Sequence, residues 1–206
     1  MKRIAFLASG NGTNAENLTK EIQAGRVPDA EARLVITDNP GAGVIERARK
    51  LKVETVALDR KKYPSKQEFE AAIRHELESR DIDLIALAGF MRILSSDFVR
   101  HFAGKIINVH PSLLPAFPGA HGIRDAFEAR VKETGVTVHF VDEGIDTGPL
   151  ILQKKVAVDT GETLETLEAK IHALEYRLYP EALRLVISGK VRLPAHHHED
   201  EFWTKD

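Results

Sequence analysis

Apolar residues come in short runs through the first half of the chain, and amphipathic segments separate these runs. The runs lack polar alternation, which is typical of strands buried on both faces: Ile4–Ala8, Leu34–Ile36, Thr55–Leu58, Leu84–Ala88 and Ile106–Val109. The segments between them have helical spacing of apolar positions: Asn14–Ala24, Val44–Leu51, Lys66–Ser79 and Ser95–Phe102. Buried strands that alternate with helices predict a doubly wound α/β fold with a parallel sheet.

The pattern changes in the second half of the chain. Apolar and polar residues alternate over Val136–Phe140, which predicts a half-exposed strand. Residues Leu150–Val158 can pair with it in antiparallel fashion across the loop Asp142–Gly148. An apolar stripe over Leu164–Leu178 predicts a helix, which Pro180 should interrupt or kink. We therefore expect a mostly parallel, Rossmann-like sheet that an antiparallel hairpin extends near the C-terminus.

Composition narrows the classes of function. The 206 residues carry a formal net charge of -2, which would gather neither nucleic acid nor an anionic membrane. The chain has no cysteine, which excludes disulfides, thiolate nucleophiles and cysteine-ligated metal centres. No apolar stretch is long enough to span a bilayer or to serve as a signal peptide, so we expect a cytoplasmic protein. Adjacent histidines rarely converge on one ion, so we expect His196–His198 to lie in a solvated tail and to bind no metal.

A glycine-rich segment, Ser9–Asn14, joins the first predicted strand to the first predicted helix. Glycines let the backbone approach a ligand closely, and a helix start offers free N–H groups to an anion, so this segment predicts a phosphate site. It also matches the dinucleotide-binding fingerprint, with Gly10, Gly12 and Ala15 at the small positions and Asp38 as a candidate ribose-binding acid. A nucleotide-dependent oxidoreductase therefore stays open as an alternative.

Asn108 and His110 lie two positions apart in a predicted strand, so their side chains should share a face. An isolated Asn-x-His would favour a structural role. However, an Asn amide can stabilise an oxyanion, and an imidazole can exchange a proton near pH 7. Acyl transfer to an amine needs both functions, and the amine itself can be the nucleophile. Asp146, in a glycine-flanked loop, is our candidate for the carboxylate that orients the histidine or a water.

Longer motifs surround these residues and follow one another in a characteristic order: Ser9–Asn14, Ala88–Leu94, Ile107–Gly119, Val138–Pro149 and, more weakly, Glu175–Pro180. With these motifs the sequence resembles the phosphoribosylglycinamide formyltransferase family, folate-dependent enzymes of purine biosynthesis. The resemblance runs from Met1 to about Ile187, and the Asn-x-His-Pro-Ser-Leu-Leu-Pro run is highly specific to folate-type formyltransferases. Methionyl-tRNA formyltransferases resemble the same region but usually have an Arg-Gly pair where this chain has Pro118-Gly119.

The resemblance implies a role for each matching residue. The substrate 5′-phosphate would be held by Gly12, Thr13 and Asn14. The catalytic residues would be Asn108, His110 and Asp146. The folate would be bound by Lys66, Met91, Arg92, Ile93, Leu94, Asn108, Val141, Asp142, Glu143, Gly144 and Ile145. Glu175 would contact the glycinamide end of the substrate, and we place His121 in the same neighbourhood.

The resemblance implies transfer of the formyl group of 10-formyltetrahydrofolate to the amine of 5′-phosphoribosylglycinamide, by direct attack of the amine. Another folate-dependent formyltransferase or a hydrolase is the nearer alternative. The folate would be a co-substrate, both partners would be small molecules, and the chain could form a homodimer. We expect one domain over residues 1–206, with a phosphate-binding half at about 1–105, a catalytic and folate-binding half at about 106–190, and a polar tail at 191–206.

Overall fold

The computed structural model describes residues 1–193, in which seven strands and six α-helices alternate. The strands are β1 (Lys2–Leu7), β2 (Ala30–Thr37), β3 (Glu54–Ala57), β4 (Leu84–Leu87), β5 (Ile106–His110), β6 (Glu133–Phe140) and β7 (Leu150–Ala157). The helices are α1 (Thr13–Gln23), α2 (Val44–Lys50), α3 (Lys66–Glu78), α4 (Ser96–His101), α5 (Gly122–Glu128) and α6 (Leu164–Ile187). The predicted tail beyond Leu193, with His196–His198, lies outside the described residues.

The strands form one sheet in the order β3-β2-β1-β4-β5-β6-β7. Neighbouring strands from β3 to β5 are parallel, whereas β6 runs antiparallel to β5 and β7 antiparallel to β6. This arrangement confirms the predicted doubly wound sheet with its antiparallel extension. The strand order reverses between β1 and β4, and ligands bind at such a switch point in open α/β sheets. Within residues 1–193, no helix combines the length and the apolar character that a membrane span requires.

Helices cover both faces of the sheet, and successive strand residues enter opposite cores. Phe6 packs in the same apolar cluster as Leu18 of α1 and Leu178 of α6. Its neighbour Leu7 packs in the other cluster, with Ile73 of α3 and Phe98 of α4. This alternation explains the apolar runs of β1, β2 and β4, because both faces of these strands are buried. The prediction of a buried strand at Thr55–Leu58 is wrong, because β3 lies at the edge of the sheet and has no fully buried residue.

The prediction of a half-exposed strand at β6 is wrong, because the strand is buried from Thr134 to Phe140. The polar side chains of Thr137 and His139 find partners inside the protein instead of facing water, whereas the buried Thr134 hydroxyl has none among residues 1–193. The Thr137 hydroxyl donates to the carbonyl of Ser112 at 2.7 Å and accepts from the amide of Leu114 at 3.2 Å. The loop after β5 therefore covers β6 at Thr137 and satisfies the hydroxyl of this residue, as burial demands.

Pro180 does not interrupt α6, which continues unbroken from Leu164 to Ile187. Proline has no N–H, so the carbonyl of Tyr176, four residues earlier, loses its usual helical donor. The side-chain amide of Asn17 in α1 donates to this carbonyl at 2.8 Å. The expected interruption is thus avoided by a donor from another helix, and the two helices are joined at this point.

Tyr179 ties α6 to the middle of the sheet. Its side chain is fully buried, and its hydroxyl lies 2.9 Å from the carbonyl of Leu87 and 3.2 Å from that of Ile107. Burial, and then the charge of Glu175, raise the pKa of this phenol well above its ordinary value. The hydroxyl is therefore a neutral donor that holds α6 against β4 and β5.

Candidate active site

The loops after β1 and β4 meet at the switch point of the sheet. The amide of Ser9 donates to the carbonyl of Gly89 at 3.0 Å, and the Ser9 hydroxyl accepts from the amide of Met91 at 2.8 Å. The two loops are therefore held side by side, and the predicted phosphate segment adjoins the start of the predicted folate segment.

Gly12 begins α1 in the left-handed region, with φ 71° and ψ 30°. A Cβ at this position would lie 2.2 Å from Cγ2 of Val44 and 3.0 Å from its Cα, so a side chain cannot be accommodated. Thr13, which follows, is exposed in the first turn. The first amides of a helix have no helical acceptor, and they carry the positive end of its dipole. This helix start can therefore bind an anion.

Glu175 of α6 connects this helix start to a second part of the site. Its carboxylate is 4% exposed, and Oε2 accepts from Asn14 Nδ2 at 3.1 Å. The same oxygen lies 3.0 Å from Nδ1 of His172. The hydrogen bond to Glu175, against the effect of burial, raises the pKa of His172. The structure thus brings together Asn14 and Glu175, two residues predicted to bind opposite ends of one substrate.

Asn108, His110 and Asp146 converge on one face of the sheet. Asn108 and His110 lie on the same face of β5, as their spacing predicts. The loop after β6 brings Asp146 against both of them: Oδ1 is 3.5 Å from Asn108 Nδ2, and Oδ2 is 3.4 Å from His110 Nδ1. Asp146 is therefore in contact with both Asn108 and His110, although it lies far from them along the chain.

Asp146 is held as a carboxylate by its surroundings. Its backbone is left-handed, with φ 55°, and Oδ2 accepts from the amide of Gly119 at 2.8 Å. Burial opposes ionisation, but hydrogen bonding from His139 and Gly119 and the charges of His139 and His110 prevail, so the pKa of Asp146 is lowered. The group can therefore hold a cationic imidazole or a water next to the reacting atoms.

His110 is 4% exposed and is fixed through both ring nitrogens. Nε2 lies 2.8 Å from the carbonyl of Phe117, while Nδ1 faces the carboxylate of Asp146. A carbonyl can only accept, so Nε2 carries a proton and donates. Nδ1, 3.4 Å from Asp146 Oδ2, is then the ring nitrogen left for proton exchange.

His139 belongs to this cluster, although the sequence analysis did not predict it. It pairs directly with Asn108 across the strands, and its Nε2 lies 3.3 Å from Asn108 Nδ2 and 3.6 Å from Asp146 Oδ1. Its Nδ1 is anchored 2.7 Å from the carbonyl of Phe140. The alternation of polar residues along β6 was the available signal, but only the register of β6 on β5 reveals the pairing.

The residues predicted to bind the folate fall into two groups. One group lines a cavity of about 190 Å³: Lys66, Arg92, Ile93 and Leu94, together with Arg60, Phe69, Glu70 and Phe90. The other lies in the loop after β6, where Asp142 Oδ1 accepts from the amide of Gly144 at 3.1 Å and Glu143 pairs with Arg100 at 2.7 Å. Val141, at the start of this loop, packs against the apolar cluster under α3 and α4.

Large apolar side chains are exposed around this region. Met91 is 74% exposed, Ile93 67% and Ile145 55%. Three exposed apolar side chains from predicted folate segments indicate a surface that a flat apolar ligand would cover. His121, by contrast, is exposed at the start of α5 and makes no side-chain capping bond there.

Asp38 does not offer a free carboxylate to a ribose. Its side chain is 4% exposed, and Oδ2 accepts from Nε of Arg92 at 2.6 Å. The acid of the dinucleotide fingerprint is therefore engaged by an arginine, which removes the main support for the oxidoreductase alternative. In residues 1–193, no three His, Asp or Glu side chains are grouped so as to hold a metal ion.

Comparisons with known proteins agree with this geometry. The formyl transferase family model matches residues 2–183. Phosphoribosylglycinamide formyltransferase of Bacillus subtilis is 46% identical over 91% of this chain and 95% of its own. A crystal structure of glycinamide ribonucleotide transformylase 1 from Geobacillus kaustophilus has a TM-score of 0.88 and 50% identity, over 91% of this chain and 99% of that one. The human trifunctional purine biosynthetic protein adenosine-3 is 42% identical over 93% of this chain, which spans 19% of that protein. The chain therefore belongs to the formyl transferase family and, within it, to the phosphoribosylglycinamide formyltransferases.

Proposed function

We propose that the protein transfers the formyl group of 10-formyltetrahydrofolate to the amine of 5′-phosphoribosylglycinamide, a step of purine biosynthesis. The observation that carries this proposal is the contact of Asn108, His110 and Asp146 on one face of the sheet. An amide donor, an imidazole and a carboxylate are the groups that direct acyl transfer to an amine requires. Membership of the family supports the same substrates.

The chemistry follows from the roles that these groups can play. The substrate amine attacks the formyl carbon, and the negative charge that develops on the formyl oxygen is stabilised by the Asn108 amide and by protonated His110. The amine loses a proton to a water held by Asp146 as the tetrahedral intermediate forms. Collapse of the intermediate breaks the bond to the folate nitrogen, which receives a proton through His110 or through a water held by Asp146.

The phosphorylated substrate would lie along the contact between α1 and α6. Its phosphate would accept hydrogen bonds from the helix start at Gly12, Thr13 and Asn14. Glu175, already bound to Asn14 through one oxygen, would offer its other oxygen to the glycinamide end. Two anchoring points for one substrate would fix the position of the amine, which is how binding energy contributes to the rate.

The folate would be bound by apolar contacts at one end and by charge at the other. Met91 and Ile145 expose apolar area that the pterin ring would cover. Lys66 and Arg92 line a cavity that suits the carboxylates of the folate tail. His121 is exposed beside the proline-rich loop and would contribute only at the edge of the site.

We also propose how the chain is organised. Residues 1–206 would form one domain, in which residues 1–105 supply the phosphate loop and residues 106–190 supply the catalytic and folate-binding groups, followed by the polar tail. The protein would work in the cytoplasm. A homodimer stays a prediction, which sedimentation of the purified protein would test.

The test is steady-state formyl transfer by the purified protein and three variants. Loss of the proton-transfer group in His110→Ala should lower kcat by about 10² to 10⁴-fold. Loss of the oxyanion donor in Asn108→Ala should lower it by about 10² to 10³-fold. Asp146→Asn should lower kcat and change its pH profile. His75→Ala, an exposed histidine on α3, is the matched control and should have normal kcat.

The substrates are tested in the same assay. Formylated product should appear only when both 10-formyltetrahydrofolate and the phosphorylated amine are present. Release of formate without the amine would instead identify a hydrolase. Near-normal turnover of His110→Ala would exclude this histidine from the chemistry.

A further inference from the structure

Asp38 combines deep burial with incomplete pairing. Its carboxylate follows the end of β2, and the side chain is 4% exposed. Only Oδ2 has a partner, Nε of Arg92 at 2.6 Å. Oδ1 is buried and accepts no hydrogen bond from any side chain or amide of residues 1–193. A buried carboxylate with one oxygen unpaired is costly for stability, so its retention calls for a functional reason.

Arg92 is held in a way that leaves its far end available. Its side chain is 50% exposed, although its partner Asp38 is buried. A guanidinium has five N–H donors in one plane, and Nε uses only one of them. The hydrogen bond from Nε to Asp38, at 2.6 Å, fixes the guanidinium plane at its end nearer the backbone. The terminal nitrogens can then bind a carboxylate in the parallel, two-bond geometry that arginine favours.

The cavity that Arg92 lines is rich in positive charge. Arg60 and Lys66 line it as well, and Glu70 is the acidic residue among its lining side chains. Glu70 is already engaged, because its Oε1 accepts from the amide of Ser95 at 2.8 Å and lies 3.8 Å from Nζ of Lys66, which leaves the charges of Arg60 and Arg92 without a carboxylate in the lining. The hydrogen bond of Arg60 goes to a neutral group, because its guanidinium donates to the carbonyl of Tyr63 at 2.8 Å. The cavity therefore has cationic donors in excess, which fits an anionic ligand.

We propose that Asp38 is a positioning residue, which aims the free end of Arg92 at a carboxylate of the folate tail. This inference rests on the proposed function, in which 10-formyltetrahydrofolate is the co-substrate. The folate tail is an amino acid with two carboxylates, whereas the pterin end has none. Asp38 thereby sets a preference for folates that carry the tail, without touching the ligand itself.

The experiment compares two formyl donors, 10-formyltetrahydrofolate and 10-formyltetrahydropteroate, which lacks the glutamate tail. Asp38→Asn keeps the shape of the side chain but removes the charge that fixes Nε. We expect it to raise KM for the tailed donor by about tenfold, the effect of one misplaced charge-assisted bond. KM for the tailless donor and kcat should change less than about twofold. Asp81→Asn, an exposed aspartate beside Arg3, is the matched control and should change neither KM.

Two further variants show whether Asp38 acts through Arg92. Arg92→Gln should remove the preference for the tailed donor, and Asp38→Asn should then have no further effect in the double variant. If Asp38→Asn does not fold, Arg92→Lys replaces it, because lysine keeps the charge but has no Nε for Asp38 to hold. This lysine variant should show the same loss of preference.

An equal change of KM for both donors, or no change for either, would overturn the inference. Failure of the proposed function would look different, because the unaltered protein would then form no formylated product. In that event, calorimetric binding of tetrahydrofolate and tetrahydropteroate to the same variants still decides the role of Asp38. Loss of the tetrahydrofolate preference in Asp38→Asn supports it, and retention of the preference refutes it.

Discussion

The hydrogen bond from Asn17 to the carbonyl of Tyr176 exists because Pro180 leaves that carbonyl without a helical donor. Replacing Asn17 with Ala removes the donor. We expect the variant to be destabilised, since the carbonyl lies in the contact between α1 and α6 and is left without a partner. The same contact carries Asn14 and Glu175, so KM for the phosphorylated substrate should rise with it.

The change in the free energy of unfolding of Asn17→Ala is the sum of two opposing effects. Leaving a partly buried carbonyl unpaired costs about 1 to 2 kcal/mol. Alanine is a better helix former than asparagine, so the substitution stabilises α1 by about 0.5 kcal/mol. The free energy of unfolding should therefore fall by about 1 kcal/mol, which lowers Tm by roughly 2 to 4 °C in a domain of this size.

A double-mutant cycle with Pro180→Ala isolates the coupling. The alanine in that variant would supply the missing N–H to the carbonyl of Tyr176, so Asn17→Ala should then be neutral or slightly stabilising, by about 0.5 kcal/mol. The free energies are measured by urea unfolding at equilibrium. Gln23→Ala, which removes an exposed bond of the same helix to Leu51, is the control and should cost less than about 0.5 kcal/mol. An equal cost of Asn17→Ala in both backgrounds would refute the proposed origin of this bond.

Three other predictions follow from the site. Gly12→Ala should destabilise the protein by at least about 2 kcal/mol, because its Cβ would overlap Val44 and its φ is left-handed; Gly10→Ala, which meets nothing within 4 Å, should be nearly neutral in the same urea titration. The pKa of Asp146 is lowered on folding, so its contribution to stability is present above about pH 4 and is lost as the pH falls further. The free energy of unfolding of Asp146→Asn should accordingly fall less below about pH 4 than that of the unaltered protein. The pKa of His172 is raised, so its contribution is full below about pH 6.5 and fades as the pH rises. The difference in Tm between the unaltered protein and His172→Gln should shrink from pH 5.5 to 8.5, and a constant difference would contradict this account.

Local patterns of the sequence predict most of the fold. The runs at β1, β2 and β4 are apolar because both sheet faces are covered, and this signal needs no distant information. Helix α5 was not predicted, because it begins with a glycine, a poor helix former, and its buried residues Gly122, Ile123 and Ala126 form no clear apolar stripe. The alternation in β6 predicts exposure only if its polar groups have no internal partners, and Thr137 has three.

The candidate site was predictable only in part for a related reason. Asn108 and His110 share a face because of their spacing, which any strand would impose. The contribution of His139 depends on the register of β6 against β5, and that register is a property of the folded sheet. The pairing of Asp38 with Arg92 joins residues 54 positions apart, so neither local pattern contains it.

The ionisation of the buried Tyr179 phenol can be used to follow the separation of α6 from the sheet. Phenolate absorbs ultraviolet light at longer wavelengths than phenol, and the chain has only three tyrosines. The pKa of Tyr179 is raised well above its ordinary value while its hydroxyl is buried between the carbonyls of Leu87 and Ile107, so this phenol ionises after the other two tyrosines in alkali. Its share of the absorbance change should therefore appear only when α6 separates from the sheet. Stopped-flow absorbance after a jump to high pH would time that separation without any added label.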